Sequence, residues 1–278
     1  MYYITRMQAS ASFLLKSGVS KPLENFDPAA EAAQALSWIP QNGANLSPRR
    51  WCCSKIARAC RRVCLPVVSF VTRRFINIAV EDLDHLDGLP GPVIFAASHE
   101  SKLDALVLLA ALPARFRYRL AIAMGDWIFW EGWFGGRVVQ RLRYDLLVLA
   151  SNIFTIPPNA ALLRPAVRHI EFLLAKGCSL LIFPEGMHSP WLLPFQAGVG
   201  WIAQHTGAPI VPVYIHGMGA VFPRDARRIR TGSVLVRFGL PILPEGQDFR
   251  ALTTQIEQEV HRLRAKNNLE IRKSVQQG

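Results

Sequence analysis

Seven short apolar segments, most of them separated by helical stretches, constrain the fold of this chain more than any other feature of its sequence. The predicted strands are Phe75–Val80, Val93–Ala97, Leu120–Ala123, Ile153–Ile156, Ser179–Phe183, Ile210–Ile215 and Val234–Phe238. Helices are predicted over Leu103–Leu112, Val138–Ala150, Leu162–Ala175, Ala197–Gln204 and Phe249–Lys266. Strands that alternate with helices are typical of an α/β fold. The sequence therefore predicts a mixed, largely parallel sheet of about seven strands flanked by helices.

The composition changes along the chain and divides it into four parts. Residues 1–48 show no sustained hydrophobic period, so we expect a loosely ordered extension with a short helix at Pro28–Ser37. Residues 49–77 are predicted to form a basic amphipathic helix, and residues 78–266 the α/β domain. Residues 267–278 are predicted to be a C-terminal tail.

The predicted basic helix gives the strongest indication of a partner. The whole chain carries a net charge of +12, and residues 49–77 contribute eight Lys and Arg residues with no acidic residue among them. Aliphatic and aromatic residues interleave with these charges, which is typical of a segment that lies in a membrane interface. The alternative is a helix that packs on the domain and leaves its basic face in water. We predict an anionic membrane surface as partner, and no nucleic acid, because no recognised nucleic-acid-binding module is present.

Other features bear on the cellular setting. Residues 189–223 contain no Asp, Glu, Lys or Arg, but five prolines and several glycines interrupt them. We therefore expect a buried helix followed by a buried strand there, and no transmembrane helix. The N-terminus has a broken apolar run, so no signal peptide is predicted. The five cysteines are predicted to be reduced thiols, with Cys178 a buried structural thiol and no zinc site.

A polar cluster lies between the predicted strand Val93–Ala97 and the next helix. His99 and Asp104 stand five positions apart there, in the segment S-H-E-S-K-L-D. A carboxylate in the first turn of a helix can orient a histidine at the end of a strand and stabilise its protonated ring. Alternatively, Ser101 and Asp104 form a capping-box-like pair that satisfies free helix N–H groups. In open α/β sheets the site lies beyond the carboxyl ends of the strands, where His99 falls.

A second polar turn, Pro184-Glu185-Gly186, follows the predicted strand Ser179–Phe183. A carboxylate after a buried strand, beside a glycine, is predicted to bind hydroxyl or ammonium groups of a ligand or to hold a nearby basic residue. The alternative is an ordinary turn. The segment P-I-V-P-V at 209–213 is predicted to form a wall of the site. The sequence contains no G-x-S-x-G, no phosphate-binding glycine loop and no H-E-x-x-H motif.

Four motifs, S-H-E-S-K-L-D, I-F-P-E-G-M-H-S, P-F-Q-A-G and P-I-V-P-V, occur in this order and resemble those of the glycerolipid acyltransferase family. That family includes 1-acylglycerol-3-phosphate and lysophospholipid acyltransferases, and the resemblance covers about residues 78–242. It implies acyl transfer from acyl-CoA or acyl-carrier protein to the hydroxyl of a lysolipid, in phospholipid biosynthesis. We further predict a peripheral or monotopic protein at the cytoplasmic face of a membrane, without a cofactor or metal.

The resemblance also implies roles for individual residues. His99 matches the general base of the family, Asp104 its orienting acid, and Glu185 with Gly186 its acceptor-binding motif. Met187 and His188 stand where the family often has Thr and Arg, and prolines replace an Arg after Ile156. Further contacts to the acceptor are therefore predicted from Lys102, Arg164 and His188. The alternatives are an acyltransferase for a lysolipid without phosphate and a non-catalytic, membrane-associated lipid-binding protein of the same fold.

Overall fold

The computed structural model describes residues 50–276, except 90, 126–141, 143–144, 147, 157–159, 188, 190, 224–225 and 227. The predicted extension 1–48, with its short helix at Pro28–Ser37, lies outside the described residues. So does much of the helix predicted over Val138–Ala150, although the described residues between 142 and 150 are helical.

All seven predicted strands are present, each within two residues of its predicted bounds. They are β1 (Ile76–Glu81), β2 (Ile94–Ala97), β3 (Leu120–Gly125), β4 (Ile153–Ile156), β5 (Ser179–Ile182), β6 (Ile210–His216) and β7 (Gly232–Phe238). β2 and β5 are buried along their whole length, and β6 up to its last residue. Continuous apolar runs of this kind are what a strand needs when helices cover both faces of the sheet.

Besides the partly described helical stretch between 142 and 150, the structure contains the α-helices α1 (Lys55–Phe75), α2 (Asp104–Ala111), α3 (Ala114–Arg117), α4 (Ala160–Ala175), α5 (Gly198–Thr206), α6 (Met218–Val221) and α7 (Phe249–Gln276). Short 3-10 turns lie at Arg50–Cys53 and Leu83–Leu86. The predicted end of the last helix at Lys266 was too early. The helix continues to Gln276 because residues 267–276 contain no glycine or proline to end it.

The strands form one sheet in the order β1-β7-β6-β2-β5-β3-β4. Neighbouring strands are parallel except at the β6–β7 pair, where Val213 opposes Phe238 in antiparallel register. The prediction of a mixed, largely parallel sheet is confirmed. Because β6, β2 and β5 are parallel neighbours, their carboxyl ends meet at one edge of the sheet, and the loops that follow them are brought together.

Helix α1 turns one side toward the domain. Its buried residues, Ala57, Arg61, Leu65, Ser69 and Thr72, recur at helical spacing. The opposite side exposes large apolar residues: Ile56, Val63, Val67, Phe70 and Val71 are each 47% exposed or more. Among the described residues, no helix is both long and apolar enough to cross a bilayer.

A buried arginine connects the strands β1 and β7 to the last helix. Arg237 on β7 is fully buried, and its Nε donates a hydrogen bond to Glu81 Oε2 over 2.6 Å. Its Nη1 donates to the backbone carbonyl of Leu263 on α7 over 3.1 Å. Glu81 and Arg237 are register partners on β1 and β7, so the ion pair also fixes the alignment of these strands. A buried charge of this kind is tolerated only with such partners.

Candidate active site

The loop after β2 is fastened to β6 before it reaches the candidate site. The backbone N–H of Ser98 donates to the carbonyl of Val213 over 3.0 Å, and the Ser98 Oγ accepts the N–H of Ile215 over 2.8 Å. The carbonyl of His99 then accepts the N–H of Ser189 over 2.8 Å. These bonds hold the loop against β6 and against the segment that follows β5, so the side chain of His99 extends from a fixed backbone.

His99 and Asp104 form the pair that the sequence predicted. His99 Nδ1 lies 2.9 Å from Asp104 Oδ2, and the His99 side chain is 11% exposed. The His99 ring also stacks on Phe183, with centroids 4.0 Å apart and planes 20° apart. A ring held at one nitrogen by a carboxylate and on one face by an aromatic side chain keeps a single orientation.

The capping alternative also describes part of the geometry. Asp104 Oδ2 accepts the backbone N–H groups of Glu100 and Ser101 over 2.7 and 2.9 Å, besides contacting His99. Ser101 Oγ does not complete a capping box, because it donates to the carbonyl of Phe222 over 2.9 Å. Asp104 therefore both fastens the loop ahead of α2 and orients the imidazole.

Asp104 is the most deeply buried group of the site. Its side chain is inaccessible to solvent, and Oδ1 has no hydrogen-bond partner in the described part of the chain. Loss of solvent raises the pKa of the Asp104 carboxyl, while the hydrogen bond from His99 acts in the opposite direction. The carboxylate thus gains most from a positive charge on the neighbouring ring.

Glu185 connects the two predicted motifs. Its Oε1 accepts the backbone N–H of His99 over 2.8 Å, and its Oε2 accepts the N–H of Leu193 over 2.8 Å. Burial raises the pKa of Glu185 to about 7, against the lowering effect of the two backbone donors. Gly186 adopts a left-handed φ of 74°, which lets the chain turn directly after this carboxylate. Both Glu185 oxygens bind the backbone, while contact with an acceptor remains a prediction.

Glu100 and His216 were not singled out in the sequence, although they lie at the same sheet edge. Glu100 Oε2 accepts the N–H groups of Gly217 and Gly219 over 3.0 and 3.1 Å, and Oε1 lies 3.1 Å from His216 Nδ1. The bond to Glu100 raises the pKa of His216. His216 is the last residue of β6. It stands at the carboxyl end of a predicted strand, as His99 does, and this position was the signal that could have identified it.

A small open cleft lies at this edge of the sheet. Its described lining includes Ser98, His99, Glu100, Glu185, Ser189, Trp191, Leu192, Tyr214, Ile215, His216 and Arg264. β6 forms one wall of the cleft, and Trp191 at the rim is 70% exposed. Arg264 comes from α7, more than 160 residues after His99, so no local pattern could have placed it there.

The other residues predicted to contact the acceptor are Lys102, Arg164 and His188. Lys102 is exposed at the turn before α2 and is not among the described residues that line the cleft. Arg164 lies in α4, but its side chain is outside the described part of the structure, as is the whole of His188. The predicted role of all three in binding the acceptor stays a prediction.

Comparison with known proteins identifies an acyltransferase family. The family model described as acyltransferase matches residues 77–216. A 1-acyl-sn-glycerol-3-phosphate acyltransferase of Cocos nucifera is 28% identical over 170 residues, which are 59% of this chain and 50% of that protein. The 1-acyl-sn-glycerol-3-phosphate acyltransferase alpha of Homo sapiens is 26% identical over 165 residues, 56% of this chain and 51% of that protein. The chain therefore spans about half the length of these relatives.

The fold is also that of a solved structure. The crystal structure of the 1-acyl-sn-glycerophosphate (LPA) acyltransferase PlsC from Thermotoga maritima matches with a TM-score of 0.55 at 21% identity. The match covers 73% of this chain and 79% of that one. The likeness is one of architecture, in the sheet and the helices that flank it.

Proposed function

The chain belongs to the acyltransferase family, and from that premise we propose that it transfers a fatty acyl group to the hydroxyl group of a lysolipid. The proposed donor is the thioester of acyl-CoA or acyl-carrier protein. The proposed acceptor is 1-acylglycerol-3-phosphate, after which the relatives are named. The single observation that carries the proposal is the contact of 2.9 Å between His99 Nδ1 and Asp104 Oδ2 at the edge of the cleft.

The proposed reaction needs one general base. The oxygen of the acceptor hydroxyl attacks the carbonyl carbon of the thioester while His99 Nε2 takes the hydroxyl proton. This step gives a tetrahedral intermediate and an imidazolium. Collapse of the intermediate breaks the C–S bond, and the imidazolium returns the proton to the leaving thiolate. Asp104 holds Nδ1 throughout and stabilises the positive ring. No covalent enzyme intermediate is required, because a thioester is already activated.

The cleft offers a positive charge for a phosphate-bearing acceptor. Arg264 lines it together with His99 and His216, and the bond to Glu100 favours the protonated form of His216. A guanidinium group binds phosphate in a bidentate manner. We propose Arg264 as a contact of the acceptor headgroup, in addition to the predicted Lys102, Arg164 and His188. A lysolipid without phosphate is the alternative, and it would gain nothing from Arg264.

The proposed site of action is an anionic membrane surface, which α1 contacts. Its exposed side carries Ile56, Val63, Val67 and Phe70, and the same helix carries exposed basic residues, among them Arg58 and Arg62. Apolar side chains next to basic ones are the combination that binds an interface. Arg61, which the sequence grouped with these charges, is only 2% exposed and cannot contact lipid from this position.

A direct assay tests the proposed chemistry. The protein is given 1-acylglycerol-3-phosphate in mixed vesicles with acyl-CoA, and both the diacyl product and the released thiol are measured. His99→Ala is expected to remove both signals, while His205→Ala retains them. His205 is a matched control because it also contacts a carboxylate, with Nε2 2.7 Å from Glu171 Oε1, and it does not line the cleft.

Two results would contradict the proposal. Full activity of His99→Ala would show that His99 is not the general base. Vesicle binding by the unaltered protein without any thiol release, from acyl-CoA or acyl-carrier protein, would favour the alternative of a non-catalytic lipid-binding protein. Transfer of the acyl group to other lysolipids, but not to 1-acylglycerol-3-phosphate, would agree with the proposed mechanism and contradict the proposed acceptor.

A further inference from the structure

Three cysteines meet at the edge of the sheet opposite the cleft. Cys53 Sγ lies 3.7 Å from Cys52 Sγ and 3.8 Å from Cys178 Sγ. Cys178 directly precedes β5, whose other end leads to Glu185, so the strand separates this cluster from the candidate active site. Cys53 is partly exposed, whereas Cys52 and Cys178 are buried. All three are free thiols.

A buried guanidinium lies beside the three thiols. Arg61 is 2% exposed, and its Nη2 donates a hydrogen bond to the backbone carbonyl of Cys52. Its Nε and Nη1 have no hydrogen-bond partner in the described part of the chain. A buried positive charge needs a negative one nearby. Since no carboxylate is found in the described lining of the adjoining cavity, a cysteine thiolate is the anion that the structure offers.

Of the three thiols, Cys53 is the nucleophile, because it is partly exposed and lines a cavity beside Arg61, whereas Cys52 and Cys178 are buried. The contacts of Cys53 Sγ with Cys178 Sγ and Cys52 Sγ lower the pKa of the Cys53 thiol, and the charge of Arg61 acts in the same direction. The same contacts, together with burial, raise the pKa values of Cys52 and Cys178. Cys53 also lies just before Ser54, the N-cap of α1, where the helix dipole favours a thiolate.

Cys53 is accessible from a cavity of about 230 Å³ with a positive lining. The described lining consists of Cys53, Arg58, Arg61, Tyr118, Arg119, Lys176 and Cys178. Four of these seven residues are cations, and three of them, Arg58, Arg119 and Lys176, are exposed at the cavity. A small anionic molecule is therefore favoured there over a cationic one of the same reactivity.

We propose that Cys53 and Cys178 form a thiol–disulfide exchange site that reacts with small anionic disulfides. The Cys53 thiolate attacks one sulfur of the disulfide, which releases one small thiolate and leaves a mixed disulfide on Cys53. Cys178 then gives up its proton to the released thiolate and attacks Cys53 Sγ, which releases the second small thiolate. The two cysteines lose two electrons in total, and these reduce the small disulfide to its two thiols.

The product disulfide would join the segment before α1 to the start of β5. It would link residues 125 positions apart and so fix the attachment of the N-terminal helix to the domain. The site is independent of acyl transfer, since it lies at the other edge of the sheet and its readout is the state of the thiols.

The test compares two small disulfides of opposite charge, oxidised glutathione and cystamine, on the folded protein at neutral pH. The product is the Cys53–Cys178 disulfide, which peptide mapping and the loss of two thiols detect. For each reagent, the rate with the protein is divided by its rate with a small free thiol. We expect this ratio to be several-fold higher for oxidised glutathione than for cystamine. Cys53→Ser should not react at this site. Cys178→Ser, or Cys178→Ala if the serine variant folds poorly, should accumulate one glutathionyl group on Cys53.

Cys60→Ser and Cys64→Ser are the matched controls and should behave like the unaltered protein. Arg119→Gln with Lys176→Gln should reduce the preference for glutathione over cystamine without abolishing the reaction. The proposal is overturned if the folded protein gives no linkage between Cys53 and Cys178, or if Cys60 and Cys64 react first. Equal relative rates for the two disulfides would overturn the anionic preference.

Discussion

The Glu185 carboxylate accepts the backbone N–H of His99 over 2.8 Å, across 86 positions of the chain. The same carboxylate accepts the N–H of Leu193, so one buried side chain holds the loops after β2 and β5 together. The two sequence motifs are therefore parts of one structural unit. Glu185 acts on the imidazole through its backbone, which makes it a positioning residue in the proposed mechanism.

The pH dependence of stability should reveal this buried carboxyl. Its pKa in the folded chain is about 7, against 4.5 for a solvated glutamate, so the folded state holds the proton more tightly. Between these pH values the folded state binds more protons, and the free energy of unfolding falls as the pH rises. Relative to Glu185→Gln, which does not titrate, the unaltered protein should lose at most about 3 kcal/mol between pH 4.5 and 8. Urea denaturation of both proteins at pH 5 and pH 8 measures their free energies of unfolding. If the difference between the two proteins is the same at both pH values, the prediction is wrong.

Asp104→Asn should separate orientation of the ring from binding. The amide keeps the size of the side chain but loses the negative charge that stabilises the imidazolium, so kcat should fall about 100- to 10,000-fold with little change in KM. Steady-state acyl transfer measures both constants. Asp87→Asn is the control, because Asp87 is 82% exposed and contacts Arg115 away from the cleft. A large rise in KM at unchanged kcat would assign Asp104 to substrate binding instead.

Gly217→Ala should destabilise the fold. Gly217 has a φ of 100°, and a Cβ there would lie 2.5 Å from the carbonyl oxygen of Ser233 on β7. Strain of this kind costs about 1–3 kcal/mol, and it would also disturb the N–H that Glu100 accepts. Thermal unfolding compares it with Gly91→Ala, whose Cβ meets nothing within 4 Å. Equal stability of the two variants would contradict the close approach.

Binding of α1 to anionic vesicles should depend on Arg58 and Arg62. Each exposed basic residue near such a surface contributes about 1 kcal/mol, so replacing both with Gln should weaken vesicle binding about 30-fold at low salt. Co-sedimentation with vesicles that contain phosphatidylglycerol measures the change. Arg262→Gln on α7, also exposed, should have little effect. If all three substitutions weaken binding equally, the net charge of the protein binds the membrane and α1 has no special role.

Much of the candidate site was predictable because its residues lie next to strongly apolar strands. His99 and Asp104 are five positions apart, so strand end, loop and first helical turn bring them together by local geometry alone. The buried role of Arg61 was not predictable, since a run of basic residues on a helix gives no sign of which one faces the domain. The role of Glu100 was not predictable for a different reason: its partners, the N–H groups of Gly217 and Gly219, follow a strand more than a hundred positions away.

The amino-acid sequence by itself determined the seven strands, most of the helices that separate them and the His99–Asp104 pair. These depend on interactions between residues a few positions apart, such as hydrophobic periodicity, turn residues and the first turn of a helix. Only the tertiary structure decided that β2 lies between β5 and β6, that β7 runs antiparallel to β6, and that Arg264 enters the cleft. The order of the strands depends on how helices and loops cover the faces of the whole sheet. That covering involves contacts between residues far apart in the sequence, which no local pattern contains.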